Sequence, residues 1–181
     1  MKIVPRYLVV SAAITAATAF AAIHPRVAVA QAAKLDDPTI VAIFDAANTF
    51  DMETGQLAAK KARSSDVREF ASMLVRDHRA VRTQGRDLAA SLHVTPTPPS
   101  DFGLAKAHAA AMKSLRGLSG TAFDRAFLQH EIDFHNAVLD AVTKTLLPAI
   151  QNAQVKDLVT KVAPAFVAHR DRAQSLLNAL K

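Results

Sequence analysis

The chain has 181 residues, is 50% apolar and 21% charged, and carries a formal net charge of +6 with no cysteine, no tryptophan and only five glycines. Without cysteine there are no disulfides, thiolate metal sites, iron–sulfur clusters or cysteine nucleophile. With so few glycines and one tyrosine, the frequent turns of a β-sandwich or barrel are also excluded, leaving an all-α chain whose chemistry rests on histidine and carboxylate.

Lys2 and Arg6 precede an uncharged run from Leu8 to Ile23, 16 residues long, followed by Ala28-Val29-Ala30. This is the pattern of a cleaved signal peptide over 1–30, and the run falls short of the ~20 apolar residues of a membrane span. Cleavage is expected before Gln31, or before Ala33 through Ala30-Gln31-Ala32; an uncleaved anchor is the alternative. The reading is an exported, periplasmic protein with no integral span after cleavage. Removing Lys2, Arg6 and Arg26 leaves 19 basic against 16 acidic residues over 31–181, a net charge of +3. Nucleic acid is therefore not an expected partner.

Asp36-Asp37-Pro38 opens a helix predicted to reach Ala62, with Ile43, Ala46, Phe50, Glu53 and Leu57 as its inward positions. A second is predicted from Asp66 to Leu92, where two inward stripes are possible, one carrying Asp77 and the preferred one carrying Ala71, Leu74, His78, Val81, Gly85 and Leu88. The prolines of 93–100 forbid helix and mark one long connection. A short helix from Phe102 to Leu115 follows, ending at Gly117 and Gly120. Thr121-Ala-Phe-Asp124 has the form of a capping box opening a helix to about Leu147. A last helix starts after Asn152, with Val162, Phe166, His169, Ala173 and Leu176 inward and Pro164 kinking it. Four long helices, two short turns and one crossover carrying a short extra helix outline a ferritin-like four-helix bundle in a single domain.

Ionisable residues interrupt every apolar stripe: Glu53, His78, Glu131 with His135 one turn on, and His169. Their levels agree. His135 and His169 each lie 17 residues from Asn152, while Glu53 and His78 lie 11 and 14 residues from Ser64. At a rise of ~1.5 Å per residue the second pair differs in height by only ~4–5 Å. Buried separately these groups would each cost several kcal/mol; convergence removes that cost.

The residues Met52-Glu53-x3-Leu57-Ala58-x-Lys60, Phe70-Ala71-x-Met73-Leu74-Val75-x-Asp77-His78, Gly120-x2-Phe123-Asp124, Phe127-x7-His135 and Pro164-x4-His169 follow one another in a fixed order. In this order and spacing the chain resembles, from Phe44 to Leu176, the domain of unknown function 4142 family of exported bacterial proteins. The resemblance implies a ferritin-like fold and no established activity. It departs at Phe127, where the family more often carries tyrosine.

Two readings of the polar layer stand side by side. One is a single zinc, iron, manganese or copper ion held by Glu53, His78, Glu131, His135 and His169, with Asp77 supporting a ligand from outside. The other is a metal-free His/Glu network in a non-enzymatic structural or envelope-stress protein. A di-iron oxidase or ferroxidase is disfavoured, because the chain holds only Glu53, Glu69 and Glu131 and no Glu-x-x-His. Arg76, Arg79, Arg82 and Arg86 form either a solvated face or a contact for an envelope protein or anionic surface.

Overall fold

In the computed structural model, residues 35–99 and 102–180 are described, and they contain helices and no strand. The expected signal peptide and both cleavage positions lie outside the described residues. The helices are α1 (Asp37–Lys61), α2 (Ser65–Ser91), α3 (Gly103–Gly117), α4 (Gly120–Ala141) and α5 (Ala153–Ala179). A π-helical segment (Val142–Leu146) and a last turn (Leu147–Ala149) extend α4. Pro148 has no N–H to donate to the carbonyl four residues back, which loosens the helix where it was predicted to run on regularly. Among the described residues no helix is long and apolar enough to cross a membrane.

The two hairpins α1–α2 and α4–α5 pack into a four-helix bundle, α2 meeting α5 and α1 meeting α4, while the crossover lays α3 over α1 and α4. Gly55 permits the close approach of α1 to α2: a Cβ there would lie 3.0 Å from both the Ala71 carbonyl oxygen and Val75 Cγ2. α2 stops in a Schellman motif, with Val94 N–H on the Ala89 carbonyl, His93 N–H on that of Ala90, and His93 itself at φ 55°.

An aspartate from the start of one hairpin holds the turn of the other. Asp37 accepts from the backbone N–H groups of Gln151 and Asn152 at 2.9 and 2.8 Å. Asp124 accepts from those of Arg63 and Ser64 at 2.9 and 2.8 Å. This corrects the capping-box reading: Asp124 closes the α1–α2 turn rather than its own helix. Because Asp124 is buried, Asp124→Ala strands two backbone donors and is expected to cost about 2 kcal/mol by chemical denaturation.

The core divides into two apolar clusters. One gathers Leu74, Phe70, Phe123, Phe127 and Leu128 near the α1–α2 turn. The other gathers Ile40, Phe44, Val142, Val159 and Phe166 near the α4–α5 turn. Between them lies a polar layer of Asn48, Asp51, Thr54, His78, Glu131, His135 and His169, all buried.

The inward stripes predicted for α2 and α5 match the buried faces apart from the half-buried Leu88, but that of α1 does not. Its inward residues are Phe44, Ala47, Asn48, Asp51, Thr54, Gly55 and Ala58, one position from the expected set. The reason is α3. By covering the outer side of α1 it makes Phe50 apolar surroundings of its own, with Phe102 and His108 against the ring.

Candidate metal centre

Three helices deliver the three histidines: α2 brings His78, α4 His135 and α5 His169, at 2%, 1% and 4% exposure. One ring nitrogen from each lies within 4.8 Å of the other two. Each ring is oriented from behind. The Asn48 amide donates to the Phe44 carbonyl at 2.8 Å, so its oxygen faces His78 and accepts from Nδ1–H at 2.9 Å. His135 donates Nδ1–H to the Glu131 carbonyl at 2.8 Å, and His169 donates Nε2–H to Asp77 Oδ2 at 3.3 Å.

These acceptors settle the tautomers. The lone pairs then fall on His78 Nε2, His135 Nε2 and His169 Nδ1, and all three atoms are buried without a hydrogen-bond partner. Burial, with His135 and His169 beside it, pushes His78 down to about 2. Burial likewise lowers His135 to about 4 and His169 below its ordinary range. The rings are therefore neutral at physiological pH, the form that binds a metal. Phe166 stacks on His78 with ring centroids 5.4 Å apart and planes 9° apart, closing one side.

Asp51 and Glu131 stand on the far side of the rings. Asp51 Oδ2 is 3.5 Å from His78 Nδ1, and Glu131 Oε2 is 3.6 Å from His135 Nδ1. Thr54 donates to Glu131 Oε1 at 3.0 Å. Asp51 and Glu131 also bond each other side chain to side chain. Burial raises Glu131 to about 7, and burial together with the Glu131 charge raises Asp51 well above the carboxylate range. With His135 these carboxylates make a second donor group that shares a ligand with the first. The adjoining cavity, bordered by Asn48, Asp51, His78 and His135, measures about 10 Å³. That is room for one water or one small ion, not for an organic substrate.

The structure thus brings together His78, Glu131, His135 and His169 and sets Asp77 behind His169. It does not bring Glu53 to them: that carboxylate is half exposed and bonds His108 on α3 at 2.7 Å. Asn48, Asp51 and Thr54 take the place expected of it on α1. The signal that could have found them is the set of small residues Ala47, Gly55 and Ala58, which mark the closely packed side of α1. On the outer face of α2, Arg76 pairs with Asp77 at 3.0 Å, and Arg82 and Arg86 pair with Asp45 at 3.2 and 2.5 Å. Although burial pushes Asp45 up, its bonds to Arg86 and Arg82 hold it below the usual carboxylate range. Three of the four arginines are therefore paired with two aspartates, Arg82 and Arg86 sharing Asp45.

A family model described as domain of unknown function (DUF4142) matches residues 24–176. No curated protein matches the chain. Among solved structures, "CopM in the Cu(II)-bound form" shares the fold with a TM-score of 0.63 at 14% identity, over 81% of this chain and 100% of that one.

Proposed function

The chain belongs to the DUF4142 family, and we propose that it is an exported, non-enzymatic periplasmic protein that binds one transition-metal ion at His78, His135 and His169. One observation carries this reading. Three rings from three helices bring one nitrogen each within 4.8 Å of the other two, and each ring keeps one buried nitrogen with no partner while the other N–H is committed. A self-satisfied polar network would pair those nitrogens; instead none of the three has a partner, while Asp51 and Glu131 bond each other. Unpartnered buried groups cost ~1–3 kcal/mol each, and a cation at the shared point offsets several at once. The outer partners Asn48, the Glu131 carbonyl and Asp77 are the kinds of group that orient histidine ligands. Asp51 and Glu131, which burial holds toward the protonated form without metal, would release protons on binding and so balance the charge of a buried divalent ion.

Imidazole donors without sulfur suit copper, zinc or iron, and copper stands highest in divalent affinity. The Cu(II)-bound state of the similar CopM fold supports copper as the first ion to try. The test is titration of tag-free protein, stripped of metal, with Cu(II), Zn(II), Mn(II) and Fe(II). One tight equivalent and a raised melting temperature are expected. Substoichiometric binding, with no thermal gain from any of the four, would overturn the reading.

A further inference from the structure

On the outer face of the first hairpin the charges do not balance. Arg82 and Arg86 of α2 share one carboxylate, that of Asp45 on α1, so the group carries a net charge of +1. Arg86 takes both carboxylate oxygens, through Nε at 2.5 Å and a terminal nitrogen at 3.0 Å. Arg82 reaches Oδ1 through Nε alone, at 3.2 Å. Its two terminal nitrogens donate to no group among the described residues, although the side chain is only 26% exposed.

These three side chains border a pocket of about 340 Å³. The rest of its wall is apolar and includes Phe44 and Gly85 from the hairpin, with Pro96 and Pro98 from the crossover. The crossover is tied down there by the Thr97 N–H on the Pro38 carbonyl at 3.2 Å. A Cβ at Gly85 would lie 3.5 Å from Phe44 Cδ1, so the glycine leaves that ring edge to the pocket. The space is that of a small-molecule site rather than of one water. A guanidinium pair with one charge in excess, bordering an apolar hollow, matches a molecule with a single anionic head and an apolar body. A bare inorganic anion would leave the hollow unfilled, and a neutral apolar molecule would leave the charge unmet.

We propose that this pocket binds a small amphiphilic monocarboxylate, with its carboxylate on Arg82 and its apolar body against Phe44, Pro96 and Pro98. The terminal nitrogens of a guanidinium are a planar fork that fits the two oxygens of a carboxylate. Asp45 is the internal counter-ion, and it competes with the ligand for the same two arginines. The pocket shares no residue with the histidine layer, so the proposal stands whether or not a metal is bound there.

The experiment titrates the metal-stripped protein with octanoate, and separately with octanol as the body alone and acetate as the head alone. Calorimetry and the arginine Nε–H signals of the ¹H–¹⁵N spectrum are read together. Octanoate is expected to bind at one equivalent, roughly 10-fold or more tighter than either comparison compound, and to shift the Arg82 and Arg86 signals. Arg82→Gln is expected to weaken octanoate by roughly 10-fold or more. Asp45→Asn is expected to tighten it several-fold by removing the competing carboxylate, a gain that a merely structural ion pair would not give. Ala46→Leu, which adds volume at the half-buried pocket wall and keeps every charge, is expected to weaken it as well. Octanoate that binds no tighter than octanol, or that is unaffected by Arg82→Gln, overturns the proposal. Binding to vesicles of anionic phospholipid with no response to free octanoate overturns it too, and assigns the arginine face to a membrane surface. The wild-type signals decide even where a variant fails to fold.

Discussion

His135→Leu is expected to remove the metal-dependent stabilisation of this protein while leaving the metal-free fold close to its original stability. The substitution conserves volume and deletes a buried nitrogen that has no partner, so the metal-free cost is expected to stay below ~1.5 kcal/mol. The backbone carbonyl of Glu131, which loses the His135 Nδ1–H, remains within the α4 hydrogen-bond ladder. With ion present at a hundredfold excess over its Kd, by contrast, wild type gains ~2.7 kcal/mol by mass action. For a domain of this size that gain is roughly 5–10 °C in Tm. Paired thermal melts with and without Cu(II) therefore separate a ligand from a packing residue. A variant that melts early in both conditions assigns His135 to packing; one that loses only the metal-dependent rise assigns it to the site. Glu53→Gln is the control, because its carboxylate lies outside the central layer and the tight equivalent is expected to remain.

The largest loss of stability is expected at Phe127. It is 0% exposed, with Phe70 and Phe123 rings 6.2 and 6.3 Å away, and it anchors the apolar cluster nearest the α1–α2 turn. Phe127→Ala removes the ring and leaves a cavity among side chains that α1, α2 and α4 hold in place. A cost of about 3–5 kcal/mol follows, or on the order of 10 °C in Tm. Denaturant unfolding measures it, and a loss below ~1.5 kcal/mol would mean that the cluster relaxes into the space. Metal stoichiometry is expected to be unchanged, since the ligand nitrogens come from the layer above.

How much of this was legible in the chain differs from helix to helix. His169 follows from the single stripe of α5, and His78 from the preferred of two stripes on α2, the other of which carries Asp77. Glu131 and His135 followed from the same arc on α4. On α1 the apolar spacing points one residue away from the buried face, because α3 lies against its outer side and Phe50 answers to that helix rather than to the core. That offset exchanged Asp51 and Asn48 for Glu53. Asp124 was misread for a related reason: the fourth residue of a capping pattern was expected to act within its own helix, yet its acceptors serve the α1–α2 turn.

Periodicity, proline and glycine positions, and the absence of cysteine thus determined the helices, their order, and the restriction of any metal chemistry to imidazole and carboxylate. These are local properties, since the angle between residues about a helix axis is set by the backbone. Only the tertiary structure decided which side of α1 is inside. It also decided which nitrogen of each histidine carries the proton, because the partners that settle the tautomers of His78 and His169 come from other helices. The gathering of three histidines from three helices is a property of the assembled layer, and no single helix contains it.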